Sequence, residues 1–238
     1  MIEIQKLVKN YNKVTAVNIP RLIIPDGESF GLVGNNGAGK TTLLSLLLDL
    51  IRPTGGTILS NGKPVMQSDH WKEYTGAYLD QHMLINFLTP EEYFQFIAGL
   101  NRLTRSEYSE FLESFREFFN NEILDQSKYI RDFSQGNQKK IGIAAAMIGK
   151  PEVLILDEPF PHLDPTTVIR LKEVLQNLRL RKNVALIISS HDLNHVTELC
   201  DRIAVIEKGF IVQDLLTSGD TLQRLQKYFG LKEDPMTE

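Results

Sequence analysis

The segment Gly34-Asn35-Asn36-Gly37-Ala38-Gly39-Lys40-Thr41 constrains this chain more than any other. It satisfies G-x-x-x-x-G-K-[ST], a pattern whose chance of arising somewhere in a chain of this size is on the order of one in a hundred. Its setting adds to that. The apolar run Ser29 to Val33 precedes it after a Pro25-Asp26-Gly27 turn, and a leucine-rich helix predicted from Lys40 to Ile51, ended by Arg52-Pro53, follows it. A strand feeding a glycine-rich loop that opens a helix turns successive backbone N–H groups inward on phosphate oxygens. Lys40 adds a full positive charge there, and Thr41 offers a hydroxyl to Mg²⁺.

The next question is which groups stand at the ends of the other strands. Val153-Leu154-Ile155-Leu156 is a continuous apolar run ending in Asp157-Glu158, and Val184 to Ser189 is a second one leading into Ser190-His191. The helical stretch Thr166 to Arg181 separates them. Buried parallel strands joined by a crossover helix have this pattern. Beside a phosphate loop, Asp157 is read as the metal ligand, Glu158 as the carboxylate that polarises an attacking water, and His191 as a hydrogen-bond donor to a terminal phosphate.

Around this frame the chain reads as strands at Ile2 to Val8, Ala16 to Ile24 and Gly56 to Asn61, a hairpin of Ile203 to Ile206 with Phe210 to Gln213, and a last helix from Thr221 to Phe229. Between about 87 and 150 the character changes. Aromatic residues recur at helical spacing, Thr89-Pro90-Glu91-Glu92 is a helix start, and the stretch reads as an inserted helical subdomain with an aromatic core. The tail Lys232 to Glu238 is charged and expected to be loose.

Composition excludes more than it selects. With 26 Lys+Arg against 30 Asp+Glu the 238-residue chain carries a formal charge of -4, so no global positive field exists for a nucleic-acid backbone, and no nucleic-acid partner is expected. The single cysteine, Cys200, allows no disulfide within the chain and reads as a small buried hydrophobe. No window approaches the roughly 20 apolar residues of a membrane helix. The short basic runs Lys139-Lys140 and Arg179-Leu180-Arg181-Lys182 read as solvated helix faces. His191 and His195 have i, i+4 spacing, but Asp192 stands where a zinc motif needs Glu, and His70, His82 and His162 read as solvated.

Taken together these motifs resemble, over nearly the whole length and in family order, the ATP-binding subunit of an ABC transporter. The family's phosphate loop matches Gly34, Asn35, Asn36, Gly37, Ala38, Gly39, Lys40, Thr41 and Thr42, and its Asp-Glu strand matches Val153 to Pro159. Its glutamine loop matches Gln81 in Tyr78-Leu79-Asp80-Gln81, and its switch histidine matches His191. Tyr11 falls where such proteins stack an aromatic ring on adenine. The resemblance implies a single ATPase domain over residues 1–238: an α/β P-loop NTPase with a mixed, largely parallel core sheet, an N-terminal antiparallel β-subdomain and an inserted α-helical subdomain. The core would comprise about 1–86 and 151–238. It implies ATP and Mg²⁺ as ligands, with Gln81 joining Thr41 and Asp157 near the metal.

The signature segment departs from the family's L-S-G-G-Q. Here it is Phe133-Ser134-Gln135-Gly136-Asn137, which keeps Ser134 and Gly136, and the S-G-L-D loop reads Pro161-His162-Leu163-Asp164. A helix predicted from Gly136 to Gly149 would span about 21 Å at 1.5 Å per residue, which keeps Ser134 from the nucleotide held by Lys40 of its own chain. Ser134 is therefore expected to serve the ATP of a second such subunit, in a homo- or heterodimer, and the resemblance implies a nucleotide-binding role for Gly136 and Asp164 as well. The resemblance further implies a separate transmembrane permease, docked near Gln81 to Phe87, and a place on the cytoplasmic face of the membrane. The divergent signature looks more like exporter subunits than importers. An alternative, a soluble ABC-type ATPase acting on DNA or ribosomes, would carry coiled-coil insertions, zinc modules or two cassettes, and none is evident here.

Overall fold

The computed structural model describes residues 1–181 and 184–230, so Lys182 and the charged tail at 232–238 lie outside the described residues. The elements run β1 (Ile2–Tyr11), β2 (Val14–Ile24), β3 (Ser29–Val33), α1 (Lys40–Leu47), β4 (Gly55–Ser60), β5 (Lys63–Pro64), β6 (Thr75–Tyr78), α2 (Pro90–Leu100), α3 (Arg105–Ser114), α4 (Arg116–Phe119) and α5 (Gln135–Met147). There follow β7 (Val153–Asp157), α6 (Pro165–Arg181), β8 (Ala185–Ser190), α7 (Leu193–Leu199), β9 (Arg202–Glu207), β10 (Phe210–Leu216) and α8 (Thr221–Gly230).

Two sheets form. The antiparallel one has the order β2-β1-β4-β5, and the mixed one has the order β10-β9-β3-β8-β7-β6. In the mixed sheet β9, β3, β8, β7 and β6 are mutually parallel and β10 pairs antiparallel with β9. Every residue of β3, β7 and β8 is buried, which is why these strands read as unbroken apolar runs rather than alternating ones. Because they are parallel, their C-terminal ends open on one edge: Val33 lies opposite Ser190, and Asp157 opposite Ser189.

One hydrophobic core fills the space between the two sheets around α1, through Ile4, Leu32, Leu43, Leu44 and Ile155. The other covers the opposite face of the mixed sheet and extends into the helical segment, where Phe94, Phe115, Phe118 and Phe119 are buried together. Most of the aromatic stripe is core, as its spacing indicated, but Phe96 faces outward, and Tyr108 and Phe111 are only partly buried. Phe94 and Phe119 stack at 5.5 Å between centroids. The expected start of α2 is a full capping box, with Thr89 and Glu92 each accepting the other's backbone N–H.

The structure differs from the sequence reading at several points. The helix after the phosphate loop stops at Leu47, not Ile51, because Asp49 turns left-handed at φ 50° and the Leu50 N–H reaches back to the Ser45 carbonyl at 3.0 Å. The strands at the N-terminus run on to Tyr11 and start at Val14, closing a tight hairpin. Strand β6 and helix α7 were not anticipated. Lys139 and Lys140 are not a solvated face: Lys140 is 1% exposed and Lys139 half-buried, their ammonium groups bonded to Glu122 and to two carbonyls. Arg179 is likewise engaged, with Asp201 at 2.5 Å.

Candidate functional site

The phosphate loop leaves β3 and becomes α1 within six residues, so its shape is set by backbone. Gly39 sits at the cap of α1 with φ 110°, and a Cβ there would lie 2.5 Å from the Ala16 carbonyl oxygen, so only glycine fits. The loop is also held from behind. Gly209 N–H donates to the Ala38 carbonyl at 2.8 Å, and Asn18 N–H donates to the Gly209 carbonyl at 2.7 Å, tying the loop to the β9–β10 turn and to β2.

Inside this frame Lys40 is buried. Its Nζ donates to the Gly34 carbonyl at 2.7 Å and stands 3.4 Å from Glu158 Oε1. The Thr41 hydroxyl donates to Asp157 Oδ2 at 2.5 Å, and the Ser189 hydroxyl donates to Asp157 Oδ1. Burial raises the Asp157 pKa above the usual carboxylate range, with the neighbouring Glu158 charge adding to the rise, while the two hydroxyl donors and Lys40 oppose it. A cation at this position would reverse the balance. Thr41 Oγ1 and the Asp157 carboxylate are hard oxygen ligands on one spot, which suits Mg²⁺ completed by phosphate oxygens and water better than a cage built wholly of protein groups.

Glu158 follows directly at φ 45°, a left-handed conformation that turns its side chain away from the line of β7. Its N–H donates to Ser189 Oγ at 3.0 Å. His191 Nδ1 lies 2.9 Å from Glu158 Oε2, whereas Oε1 is buried with no hydrogen-bond partner among the described residues. Oε1 thus faces the Lys40 ammonium at ion-pair distance while its hydrogen-bonding capacity is unmet. Of the residues singled out in the sequence, Lys40, Thr41, Asp157, Glu158 and His191 thus meet at one place, where His191 contacts Glu158 directly.

The others sit further out. Gln81 is exposed at the start of a short 3₁₀ turn just beyond β6, at the same edge of the sheet as Asp157. Tyr11 is 48% exposed at the tip of the β1–β2 hairpin, with Lys9 Nζ 4.8 Å from its ring centroid. Ser134 caps α5 by accepting from the Asn137 N–H at 3.3 Å. Asp164 caps α6, accepting from Thr167 Oγ1 at 2.5 Å and from its N–H at 3.0 Å. No hydrogen bond among the described residues joins Ser134, Gly136 or Asp164 to the phosphate loop. Ser189 is the polar contributor that the sequence reading missed; a serine within a buried apolar strand opposite Asp157 is its only signal.

A family model described as "ABC transporter" matches residues 17–161. An uncharacterized ABC transporter ATP-binding protein of Nostoc sp. is 36% identical over 201 residues, which are 84% of this chain and 59% of that protein. The bacitracin transport ATP-binding protein BcrA of Enterococcus faecalis is 33% identical over 230 residues, covering 96% of this chain and 73% of that protein. Among solved structures, the ATP binding subunit of an ABC transporter superposes with a TM-score of 0.83 at 26% identity, covering 97% of this chain and 94% of that one. A bacterial ABC transporter cassette, described as dimeric, shares the fold at a TM-score of 0.79 and 21% identity over 92% of this chain and all of that one.

Proposed function

This chain belongs to the ABC transporter family of ATPases, and on that premise we propose that it is the subunit that binds and hydrolyses Mg-ATP to drive a separate membrane-spanning permease. The observation that carries the reading is the meeting of Lys40 and Thr41 with Asp157 and Glu158, groups more than a hundred residues apart in sequence, at hydrogen-bond and ion-pair distance.

Each residue has a task that follows from its position. The loop amides from Gly34 to Thr42 and the Lys40 ammonium cradle the β- and γ-phosphates, with Lys40 exchanging its bond to the Gly34 carbonyl for phosphate oxygens. Thr41 and Asp157, joined by Gln81 from the end of β6, would hold Mg²⁺. When bound, the ion neutralises charge developing on the transferred phosphoryl group. Glu158 orients the attacking water through Oε1, the oxygen that faces Lys40 and has no hydrogen-bond partner among the described residues, while His191 steadies the carboxylate through Oε2. Tyr11 supplies a stacking face for adenine.

Ser134, Gly136 and Asp164 do not reach this cluster, which supports a two-chain arrangement in which they serve a partner subunit's nucleotide. Among the described residues no helix is long and apolar enough to cross a membrane. A groove beside β6, lined by Tyr78, Met83, Tyr93 and Ala146, adjoins the expected permease contact at Gln81 to Phe87. We place the chain at the cytoplasmic face of the membrane and propose outward transport, on the resemblance of the divergent signature Phe133 to Asn137 to exporter subunits.

Titration calorimetry with Mg-ATP, followed by turnover of Glu158→Gln, tests the reading. The variant should bind Mg-ATP as the parent does, lose hydrolysis and accumulate a nucleotide-dependent dimer. Absence of binding heat, or normal turnover in the variant, would refute it.

A further inference from the structure

Helix α5 lies against the loop that follows Glu158, and the contact is closer than side-chain packing requires. A Cβ on Gly136 would stand 2.6 Å from the His162 carbonyl oxygen, so backbone meets backbone there. One turn further along α5, Lys139 Nζ donates to the Glu158 carbonyl at 2.7 Å and to the Pro161 carbonyl at 2.9 Å. A single ammonium therefore closes the turn from 158 to 161. The peptide on the N-terminal side of Glu158 is held by Ser189, through the Glu158 N–H at 3.0 Å. On its C-terminal side Lys139 is the one hydrogen-bond donor to the Glu158 carbonyl among the described residues. Burial pulls the Lys139 pKa below the ordinary lysine value, a cost opposed by the Asp157 and Glu158 charges it faces.

We propose that Lys139 is a positioning residue for hydrolysis: by gripping the Glu158 and Pro161 carbonyls it holds Glu158 in its left-handed conformation, with the carboxylate aimed between Lys40 and His191. The inference rests on the reading of Glu158 as the water-orienting carboxylate. It also gives α5 a second duty. The helix begins at Ser134, the residue assigned to a partner's nucleotide, so Lys139 joins that end of the molecule to the hydrolytic carboxylate of its own site.

The test is a double-mutant cycle in the full-length protein. Lys139→Met, which keeps the stem and removes the donors, should lower kcat about tenfold or more while KM and the Mg-ATP Kd stay within about threefold. Lys139→Arg, which restores two donors, should return kcat to within about threefold of the parent. If the residue acts through Glu158, adding Lys139→Met to Glu158→Gln should cost nothing further in residual rate or in the Mg-ATP-induced dimer. The proposal is overturned by a Lys139→Met kcat within about twofold of the parent, by losses that multiply in the double variant, or by kcat and ATP affinity falling together. Lys139→Gln, which keeps a polar head but shortens the reach and removes the charge, is read by the same split should the methionine variant not fold. Turnover in Glu158→Gln would sink the ATPase reading itself, whereas a silent Lys139→Met beside an inactive Glu158→Gln sinks this proposal alone.

Discussion

Lys140 and Glu122 form an ion pair whose two ends live in different solvents, and that asymmetry fixes what removing each end should cost. The Lys140 side chain is 2% exposed, with Nζ 2.8 Å from Glu122 Oε2 and 3.6 Å from Asp164 Oδ2, while the carboxylates are 43% and 49% exposed. Glu122→Ala leaves a buried ammonium with one half-hydrated partner and no hydrogen bond. Breaking a buried pair in this way costs about 3 to 5 kcal/mol, and the remaining attraction to Asp164 reduces that to about 2 kcal/mol here. Lys140→Met instead fills the same channel with an apolar stem and frees two carboxylates already in contact with water, for a cost of about 1 kcal/mol or less. For a chain of this size the difference is a Tm loss of about 4–8 °C against about 4 °C or less. Urea titration and scanning calorimetry on the nucleotide-free protein measure both. The pair also has a pH signature. The bond from Lys140 holds the Glu122 carboxyl below its ordinary range, so its contribution is present above the unfolded value near ~4.3 and is lost as pH falls through the lower folded value. The parent should therefore lose more stability than Lys140→Met across that acid window. A Lys140→Met variant that melts lower than Glu122→Ala would refute the reasoning.

Other outcomes follow from single contacts. Gly136→Ala should lose ATPase activity while retaining Mg-ATP binding, since its new methyl group must push the His162 carbonyl, 2.6 Å away, and with it the loop leading back to Glu158; parallel calorimetry and phosphate release check this. Asp157→Asn should raise the Tm of the nucleotide-free protein at neutral pH and abolish the extra protection that Mg²⁺ gives over ATP with chelator. A carboxyl whose folded pKa is raised loses stability as pH climbs from the unfolded to the folded value, and the amide escapes that loss. Tyr11→Ala should weaken Mg-ATP binding about tenfold in calorimetry with little change in kcat, because a base–aromatic stack is worth about 1–3 kcal/mol.

Legibility in the sequence tracked how local each signal was. The loop from Gly34 to Thr41 and the acid pair after β7 stood out because backbone chemistry and strand burial both impose their residue types, and the capping box at Thr89 is likewise written in four consecutive residues. Strand β6 was missed because Thr75-Gly76-Ala77-Tyr78 has neither alternation nor a β-branched run; it is a strand only because β7 lies beside it. Helix α7 was missed for its shortness, seven residues behind an Asp192 cap. The two lysines of α5 were misread for a reason of the same kind. Nothing within one turn of Lys139 or Lys140 supplies the carbonyls and carboxylates that take them out of water, since those arrive from 18 to 24 residues away in either direction.

The carbonyl of Ala16 wedged beneath Gly39, with Gly209 bridging the two, makes the hairpin that ends in Tyr11 and the loop that holds Lys40 parts of one stiff body. The separation between the ring at one end and the ammonium at the other is then set by sheet geometry and not by a hinge. On the roles proposed for Tyr11 and Lys40, such a site would act as a caliper: it would accept a ligand by its overall span, and one too short to bridge the jaws would forfeit an end.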